Sequence, residues 1–258
     1  MPNGRKNAAS PISVPASAIQ ADFDRIALVE ASGWSHNSHY HGFLLRHLPT
    51  PCREALDIGC GTGDFARLLA SRTGHVLGLD LAPNMIQVAR ERSADIPNLE
   101  FEVADVLACD LGHERYDCIA SIATFHHLPL PEMLARIERA LKPGGVLLVL
   151  DLFRSHGVGD LLVGALGVPV SFTLRLLKGS RLRPPEAVRA AWAQHGSHDS
   201  YLTLPEVRCA CAPILPAAQV RRHVLWRYSI VWQKTRSGWA EPDGGWRHLQ
   251  RDRPQRWG

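Results

Sequence analysis

Short apolar segments alternate with amphipathic segments through the middle of the chain. Five apolar segments are brief, are bounded by turn residues and predict strands over residues 54–58, 75–79, 99–104, 116–121 and 146–151. Apolar positions at helical spacing between them predict helices over residues 64–71, 83–92 and 131–141. Because strands and helices alternate, the pattern indicates a mostly parallel sheet with helices on both faces. A Lys-Pro-Gly-Gly sequence at residues 142–145 predicts the break before the fifth strand.

The segments before and after this central unit have other patterns. Residues 22–49 predict an N-terminal helical lid, with apolar positions that run from Phe23 to Leu48. Residues 155–201 hold short apolar helices and a Pro-Pro pair, which is typical of an inserted substrate lid. Residues 1–21 are rich in Ser, Ala and Pro and predict a disordered leader, and residues 238–258 predict a loose tail.

The C-terminal part of the central unit adds one helix and two strands. Thr203-Leu204-Pro205-Glu206 is a capping-box sequence, which predicts a helix that runs to about Ile214. Residues 219–225 and 229–234 predict an antiparallel hairpin. We therefore expect one α/β domain over residues 22–237, with a seven-stranded, mostly parallel sheet.

Composition and charge exclude several classes of protein. Apolar residues make up 45% of the 258 residues, and the formal net charge is only +4, without the strong basic patch of a nucleic-acid-binding domain. The six cysteines lack the paired spacing of a zinc site, and the N-terminal segment lacks the apolar core of a signal peptide. The apolar stretch Leu161 to Leu174 is shorter than the roughly 20 residues that span a bilayer. We therefore expect a cytoplasmic protein with neither a nucleic-acid nor a membrane partner.

A glycine-rich sequence follows the first strand and opens the next helix: Asp57-Ile58-Gly59-Cys60-Gly61-Thr62-Gly63. Glycine permits a tight turn and a close approach of the backbone to a ligand, and the helix presents free N–H groups to a carboxylate. A dinucleotide loop spaces its glycines differently, and Asp57 would repel a pyrophosphate. An acid at this position suits a ligand with an ammonium or sulfonium group, and S-adenosylmethionine (SAM) carries both.

Two further acids end the next two strands. Asp80 follows the second strand, where a carboxylate can accept hydrogen bonds from ribose hydroxyls. Asp105 follows the third strand, where a carboxylate can bind an adenine amino group, although a turn acid on the surface is the alternative. Because Asp57, Asp80 and Asp105 end successive parallel strands, we expect all three at the ligand-binding edge of the sheet.

With these acids, the sequences 79–86, 103–106, 125–128 and 141–145 resemble the ordered motifs of class I SAM-dependent methyltransferases over about residues 50–155. The resemblance implies a Rossmann-like fold, SAM as the cofactor and S-adenosylhomocysteine as its product. It also implies that the glycine loop holds the methionine portion, Asp80 the ribose, and Asp105 the adenine. The other cofactor contacts that it implies are the loop residue Cys60, Leu81 and Met85 near the adenosine, Val106 at the adenine and Ile122 near the methionyl end.

The sequences 34–41 and 225–232 resemble a bacterial subgroup of small-molecule methyltransferases. This resemblance implies a small-molecule acceptor, methylated at O, N or C, in bacterial specialised metabolism. The methyl group would pass to the acceptor by direct in-line displacement, because the sulfonium is already activated. The chain then has mainly to position the acceptor and exclude water.

Histidine and tyrosine side chains near the expected methyl donor are the candidate catalytic groups. The N-terminal lid carries His36, His39 and Tyr40, any of which can serve as a general base, and Tyr40 can also pack over the methionine end. His126 and His127 follow the fourth strand and can orient or deprotonate the acceptor, or else simply cap their loop. His36, His39 and His41 could also be metal ligands, but no nearby acid or cysteine completes the set, so we expect no metal.

Other functions stay open at this stage. The segment Ser121 to Phe125 lacks the Asn/Asp-Pro-Pro-Tyr pattern of the methyltransferases that act on nucleic-acid bases or on protein glutamine. Catechol-type metal enzymes have acids after the fourth strand, and this loop has none. A protein or RNA acceptor is an alternative to a small molecule. A SAM-binding partner or sensor without catalysis is a second alternative, and a nicotinamide-dependent oxidoreductase is a third.

Overall fold

The computed structural model describes residues 15–29, 34–178, 185–196 and 199–236. Seven strands form one sheet in the order β3-β2-β1-β4-β5-β7-β6. The first five strands pair in parallel, whereas β7 runs antiparallel to both β5 and β6. The strand bounds are β1 Glu54–Ile58, β2 His75–Asp80, β3 Leu99–Val103, β4 Tyr116–Ile122, β5 Leu141–Leu152, β6 Gln219–His223 and β7 Arg227–Gln233. The predicted seven-stranded sheet with its C-terminal hairpin is confirmed.

Eight α-helices lie within the described residues, with short 3-10 helices at Ser38–Tyr40 and Phe125–His127. Three of the α-helices connect successive strands of the parallel part of the sheet, and the others belong to the N-terminal, inserted and C-terminal segments. The helix bounds are α1 Ala16–Val29, α2 His41–Leu45, α3 Asp64–Ala70, α4 Pro83–Glu91, α5 Leu130–Ala140, α6 Val158–Leu177, α7 Glu186–Gly196 and α8 Leu204–Cys211.

The core lies on both faces of the sheet because successive strand residues point to opposite sides. In β1, Leu56 and Ile58 pack on one face with apolar residues of α5 and α8, while Ala55 packs on the other face with residues of α2, α3 and α4. The central strands are therefore buried on both sides, which explains why they are nearly continuous apolar runs in the sequence. This packing fixes the carboxyl ends of β1, β2 and β4, where the candidate site lies.

The N-terminal segment begins its first helix earlier than predicted. Helix α1 begins at Ala16, inside the stretch predicted as a disordered leader, and ends at Val29, and two short helices follow within the predicted helical lid. Its Ile26 and Ala27 pack against Met85, and Asp24 accepts a hydrogen bond of 2.9 Å from the backbone N–H of Asn84. This docking on α4 is tertiary and explains why the Ser- and Ala-rich sequence did not indicate it. Residues 1–14 and 237–258 lie outside the described residues.

Strand β5 also begins earlier than predicted. The Lys-Pro-Gly-Gly sequence lies inside the strand, not before it, because its backbone pairs with the end of the C-terminal hairpin. The N–H of Gly144 donates to the carbonyl of Lys234, and the N–H of Lys234 donates to the carbonyl of Gly145, both at 2.9 Å. Gly144 has a φ of +84°, so the irregularity that suggested a break is a local twist within the strand.

The inserted segment contains a longer helix than the sequence indicated. Helix α6 spans 20 residues, and in the described part of the chain it is the one helix long and apolar enough to cross a membrane by length and composition. Many of its apolar side chains are exposed, with Leu161 at 64% and Leu177 at 76%. The prediction that this apolar stretch is too short to span a bilayer was therefore wrong. The absence of a membrane partner stays a prediction. The predicted capping box of α8 is confirmed, although α8 ends at Cys211 and not near Ile214.

Candidate functional site

The glycine loop joins β1 to α3 and is tied to the end of β2. The backbone N–H groups of Gly59 and Cys60 both donate to the carbonyl of Leu79, at 2.8 and 2.9 Å. Gly59, Gly61 and Gly63 all have positive φ values, of +67°, +53° and +79°. A Cβ atom on Gly61 would meet no atom within 4 Å, so there is room beside the loop for a bound molecule. The predicted context of the loop, at a strand end and at the start of a helix, is confirmed.

The segment that follows β4 closes against the same loop. A Cβ atom on Gly59 would lie 2.1 Å from the hydroxyl oxygen of Thr124, so only glycine fits there. The hydroxyl of Thr124 also donates to the carbonyl of Ile122 at 3.1 Å. The end of β4 is thereby placed directly beside the glycine loop. Ile122 lies at this junction and is partly buried, and its place near the methionyl end stays a prediction.

Two carboxyl groups lie buried at the loop. Asp80 accepts hydrogen bonds of 2.9 Å from the backbone N–H groups of Gly61 and Ala82, one on each carboxylate oxygen. Burial raises the pKa of Asp80, more than these two hydrogen bonds lower it. Asp57 is 2% exposed, and burial together with the nearby charge of Asp80 raises its pKa to about 8. An opposite charge favours the ionised form of an acid, so this pair fits a cationic ligand.

The remaining predicted cofactor contacts occupy the neighbouring strand ends. Asp105 accepts a 2.9 Å hydrogen bond from the backbone N–H of Leu107, so it shapes its own turn. Val106 is buried in the core, and Leu81 is partly buried beside Asp80. Met85 packs under α1. The adenosine contacts of these residues stay predictions.

His126 is held by a carboxylate at the end of β5. Its Nδ1 lies 2.7 Å from Asp151 Oδ1, and its backbone N–H donates to Asp151 Oδ2 at 2.8 Å. The side chain of His126 is 5% exposed and that of Asp151 is fully buried. Burial lowers the pKa of the imidazole, but the charge and hydrogen bond of Asp151 outweigh it, so the pKa is raised overall. An imidazole oriented by a buried carboxylate is the arrangement of a general base.

Four more polar side chains lie on the far side of His126. Asp199 Oδ2 lies 4.0 Å from His126 Nε2, and Asp199 Oδ1 lies 3.7 Å from His127 Nδ1 and 3.6 Å from His195 Nε2. The hydroxyl of Tyr201 donates to Asp199 Oδ2 at 2.5 Å. Burial and the neighbouring His126 lower the pKa of His127 to about 4. His195, Asp199 and Tyr201 could not be predicted from the sequence, because they come from the inserted segment and meet the histidine pair only in the folded chain.

The candidate bases of the N-terminal lid contact other parts of the structure. His36 Nε2 lies 2.8 Å from the hydroxyl of Ser171 on α6, and burial together with two arginines lowers its pKa to about 4. The Tyr40 hydroxyl donates to the carbonyl of Val224 at 3.0 Å, and burial raises its pKa to about 12. His39 is exposed. Their roles as bases, and that of Tyr40 over the cofactor, stay predictions.

The histidines of the lid do not gather around a common point. The ring of His41 packs against Phe65, and burial lowers its pKa to about 4. Among the described residues, one group of His, Cys, Asp or Glu side chains is close enough to hold a metal ion, and it consists of His126, His127, His195 and Asp199. The conceivable metal site at His36, His39 and His41 is therefore not formed.

Comparison with known proteins identifies this edge of the sheet. A family model described as a methyltransferase domain matches residues 55–145, which contain the glycine loop, Asp80 and Asp105. An uncharacterised methyltransferase of Mycobacterium tuberculosis is 27% identical over 207 residues, which cover 78% of this chain and 96% of that protein. The chain carries a class I SAM-dependent methyltransferase domain.

Two further relatives are similar to this methyltransferase. The malonyl-[acyl-carrier protein] O-methyltransferase of Serratia marcescens is 39% identical over 165 residues, which cover 63% of this chain and 53% of that enzyme. The solved structure of phosphoethanolamine N-methyltransferase 2 from Haemonchus contortus, with phosphomonomethylethanolamine and S-adenosylhomocysteine, has a TM-score of 0.54 at 23% identity. The matched region covers 80% of this chain and 43% of the Haemonchus enzyme. This structural likeness supports the Rossmann-like fold.

The cofactor of the methyltransferase domain fits the residues at the loop. SAM carries a sulfonium and an ammonium group, whose positive charge would favour the ionised forms of the buried Asp57 and the partly buried Asp80 beside the space at Gly61. The role of Asp80 at the ribose stays a prediction; in the structure, both of its carboxylate oxygens accept hydrogen bonds from backbone N–H groups. The prediction of a SAM-dependent methyltransferase is confirmed.

Proposed function

We propose that this methyltransferase transfers the methyl group of SAM to a small-molecule acceptor bound between the glycine loop and the helices α1, α6 and α7. The observation that carries the proposal is the enclosure of the polar groups beside the loop. The side chains of His126, Asp151 and Asp199 are at most 5% exposed. Side chains shielded from solvent to this degree suit an acceptor pocket that surrounds a small molecule, since a polymer needs an open groove.

The chemistry follows from the side chains at the two sides of this pocket. Bound SAM supplies a methyl group that its sulfonium has already activated. Asp57 and Asp80 bind the cofactor side, and the packing of the Thr124 side chain against Gly59 keeps the acceptor side close to it. His126, oriented by Asp151, can accept the proton of an acceptor hydroxyl, amine or carbon acid as the methyl is transferred. Enclosure excludes water, which would otherwise solvate the acceptor and the base.

The relatives carry acceptors of different kinds in their names, and they agree in acting on small or carrier-bound metabolites. Together with the resemblance of residues 34–41 and 225–232, this favours a metabolite of bacterial specialised metabolism.

We also propose a cytoplasmic location, because all six cysteines lie in the described residues as free thiols, which is typical of a reducing compartment.

The experiment is a transfer assay with methyl-labelled SAM. The purified protein is incubated separately with small-molecule, protein and RNA fractions of a bacterial extract, and labelled products are identified by mass spectrometry. The proposal expects label in the small-molecule fraction, with none from an Asp80→Ala variant. Label in the protein or RNA fraction alone would replace the proposed acceptor class. SAM binding without transfer into any fraction would favour the non-catalytic sensor.

A further inference from the structure

The buried group of His126, His127, His195 and Asp199 joins two separate parts of the chain. The first two residues lie on the 3-10 helix after β4, His195 lies near the C-terminal end of α7, and Asp199 follows α7. Each side chain offers one ligand atom, and these four atoms all lie within 4.8 Å of one another. The group therefore links the inserted segment to the acceptor side of the methyltransferase domain.

The spacing within the group is too long for hydrogen bonds. Asp199 approaches the three imidazoles at 3.6, 3.7 and 4.0 Å, beyond the range of about 2.7–3.2 Å of an N–H···O bond. Among the described residues, Nε2 of His127 is buried without a hydrogen-bond partner. Side chains that gather in a buried site without bonding one another leave a polar space between them. A tetrahedral zinc site with bonds of about 2.0–2.1 Å places its ligand atoms about 3.3 Å apart, so small side-chain rotations would close this space on an ion.

The surroundings of the group supply one hydrogen-bonded outer carboxylate. Metal-binding histidines usually donate their second ring nitrogen to a carboxylate, which fixes the ring and raises its basicity. His126 has Asp151 Oδ1 at 2.7 Å from Nδ1, which leaves Nε2 to face the group. His195 Nδ1 lies 3.5 Å from Asp22 Oδ2 without a hydrogen bond, and His195 Nε2 faces Asp199. Tyr201 holds Oδ2 of Asp199, so Oδ1 is directed to the histidines.

We propose that His126, His127, His195 and Asp199 bind one divalent transition-metal ion such as Zn²⁺, which links α7 to the methyltransferase domain. Three imidazoles and one carboxylate suit zinc and its relatives, whereas Mg²⁺ and Ca²⁺ prefer oxygen ligands. Four protein ligands make a closed site whose main effect is structural. An ion on Nε2 of His126 also prevents that atom from accepting a proton. The zinc-loaded protein is therefore expected to be the slower enzyme wherever the acceptor must lose a proton to His126.

The test uses the full-length protein without an affinity tag, stripped with a chelator and then titrated with Co²⁺. The proposal expects saturation at about one ion per chain, with the intense visible absorption of four-coordinate cobalt, displacement by Zn²⁺ and a higher melting temperature. His195→Gln and Asp199→Asn should each weaken Co²⁺ binding at least about tenfold, and the outer-carboxylate variant Asp151→Asn about 10- to 100-fold. His113→Gln, at an exposed histidine elsewhere, is the matched control and should bind as the unchanged protein does.

Two results would overturn the metal site. The first is an absence of saturable Co²⁺ or Zn²⁺ binding by the unchanged, folded protein, which would leave a buried histidine–carboxylate network. The second is unchanged affinity in His195→Gln. Because the unchanged protein gives the first answer, the test does not depend on the folding of a variant. SAM titration of the same stripped sample reports on the methyltransferase separately, so a failure of either proposal can be recognised.

Discussion

Asp57 is a carboxyl group whose burial opposes its ionisation, and removing the charge should stabilise the protein. Burial and Asp80 raise its pKa from the ordinary 3.8 to about 8. The folded state thus binds the proton more tightly than the unfolded state, so stability is lost as the pH rises from about 4 to 8 and the loss is constant above that range. A pKa difference of this size corresponds to about 6 kcal/mol against the ionised form, and relaxation of the protein makes this an upper figure.

The perturbation is Asp57→Asn, which has nearly the same shape and no charge. Urea unfolding at pH 5, 7 and 9 should show an advantage of the variant that grows with pH, from little at pH 5 to several kcal/mol at pH 9. Any destabilisation caused by the amide itself does not depend on pH. The quantity tested is therefore the change with pH of the difference in unfolding free energy. Asp95→Asn, at an exposed acid, is the control and should show no such slope. If the stability difference between Asp57→Asn and the unchanged protein stays constant over this pH range, burial does not oppose the ionisation of Asp57.

Three further substitutions test other contacts of the site. Gly59→Ala should abolish SAM binding in calorimetry, because a Cβ atom there would lie 2.1 Å from the Thr124 hydroxyl at a positive φ. Tyr40→Phe should cost about 1 kcal/mol in urea unfolding through the loss of one hydrogen bond, and should leave the pH profile of methyl transfer unchanged. A changed pH profile would instead identify Tyr40 as a base. Asp151→Asn should lower kcat more than it raises KM for SAM and shift the profile to lower pH, because it removes the charge that raises the pKa of His126. Full activity with an unchanged profile would contradict that role of Asp151.

The sequence predicted the central sheet because its signals there are local. In the strand from Glu54 to Ile58 the apolar residues are buried on both faces, and the glycines that follow it have the positive φ values that explain their presence. Asp57 and Asp80 were recognised for the same reason, since each directly ends a strand. Residues fixed by their own neighbours in the chain can be predicted from those neighbours.

Features that depend on distant contacts were missed or misplaced. Helix α1 starts at Ala16 because Ile26 and Ala27 dock on α4, and no signal in a Ser- and Ala-rich stretch indicates that partner. His195 and Asp199 follow His126 by about 70 residues, and they meet it only when α7 packs across the site. The histidines at 36, 39 and 41 were considered as metal ligands because they are close in sequence, and the fold directs His36 and His41 to different neighbours.

The most direct test of the central claim is a calorimetric titration of the purified protein with SAM and with S-adenosylhomocysteine. We expect saturable binding of SAM and of S-adenosylhomocysteine at about micromolar concentration. We also expect affinity at least about tenfold weaker in Asp80→Ala, which removes the carboxylate that fixes Gly61 and Ala82. Asp95→Ala, at an exposed acid, should bind as the unchanged protein does. If the folded, unchanged protein binds neither ligand, the assignment of this sheet edge to SAM is wrong.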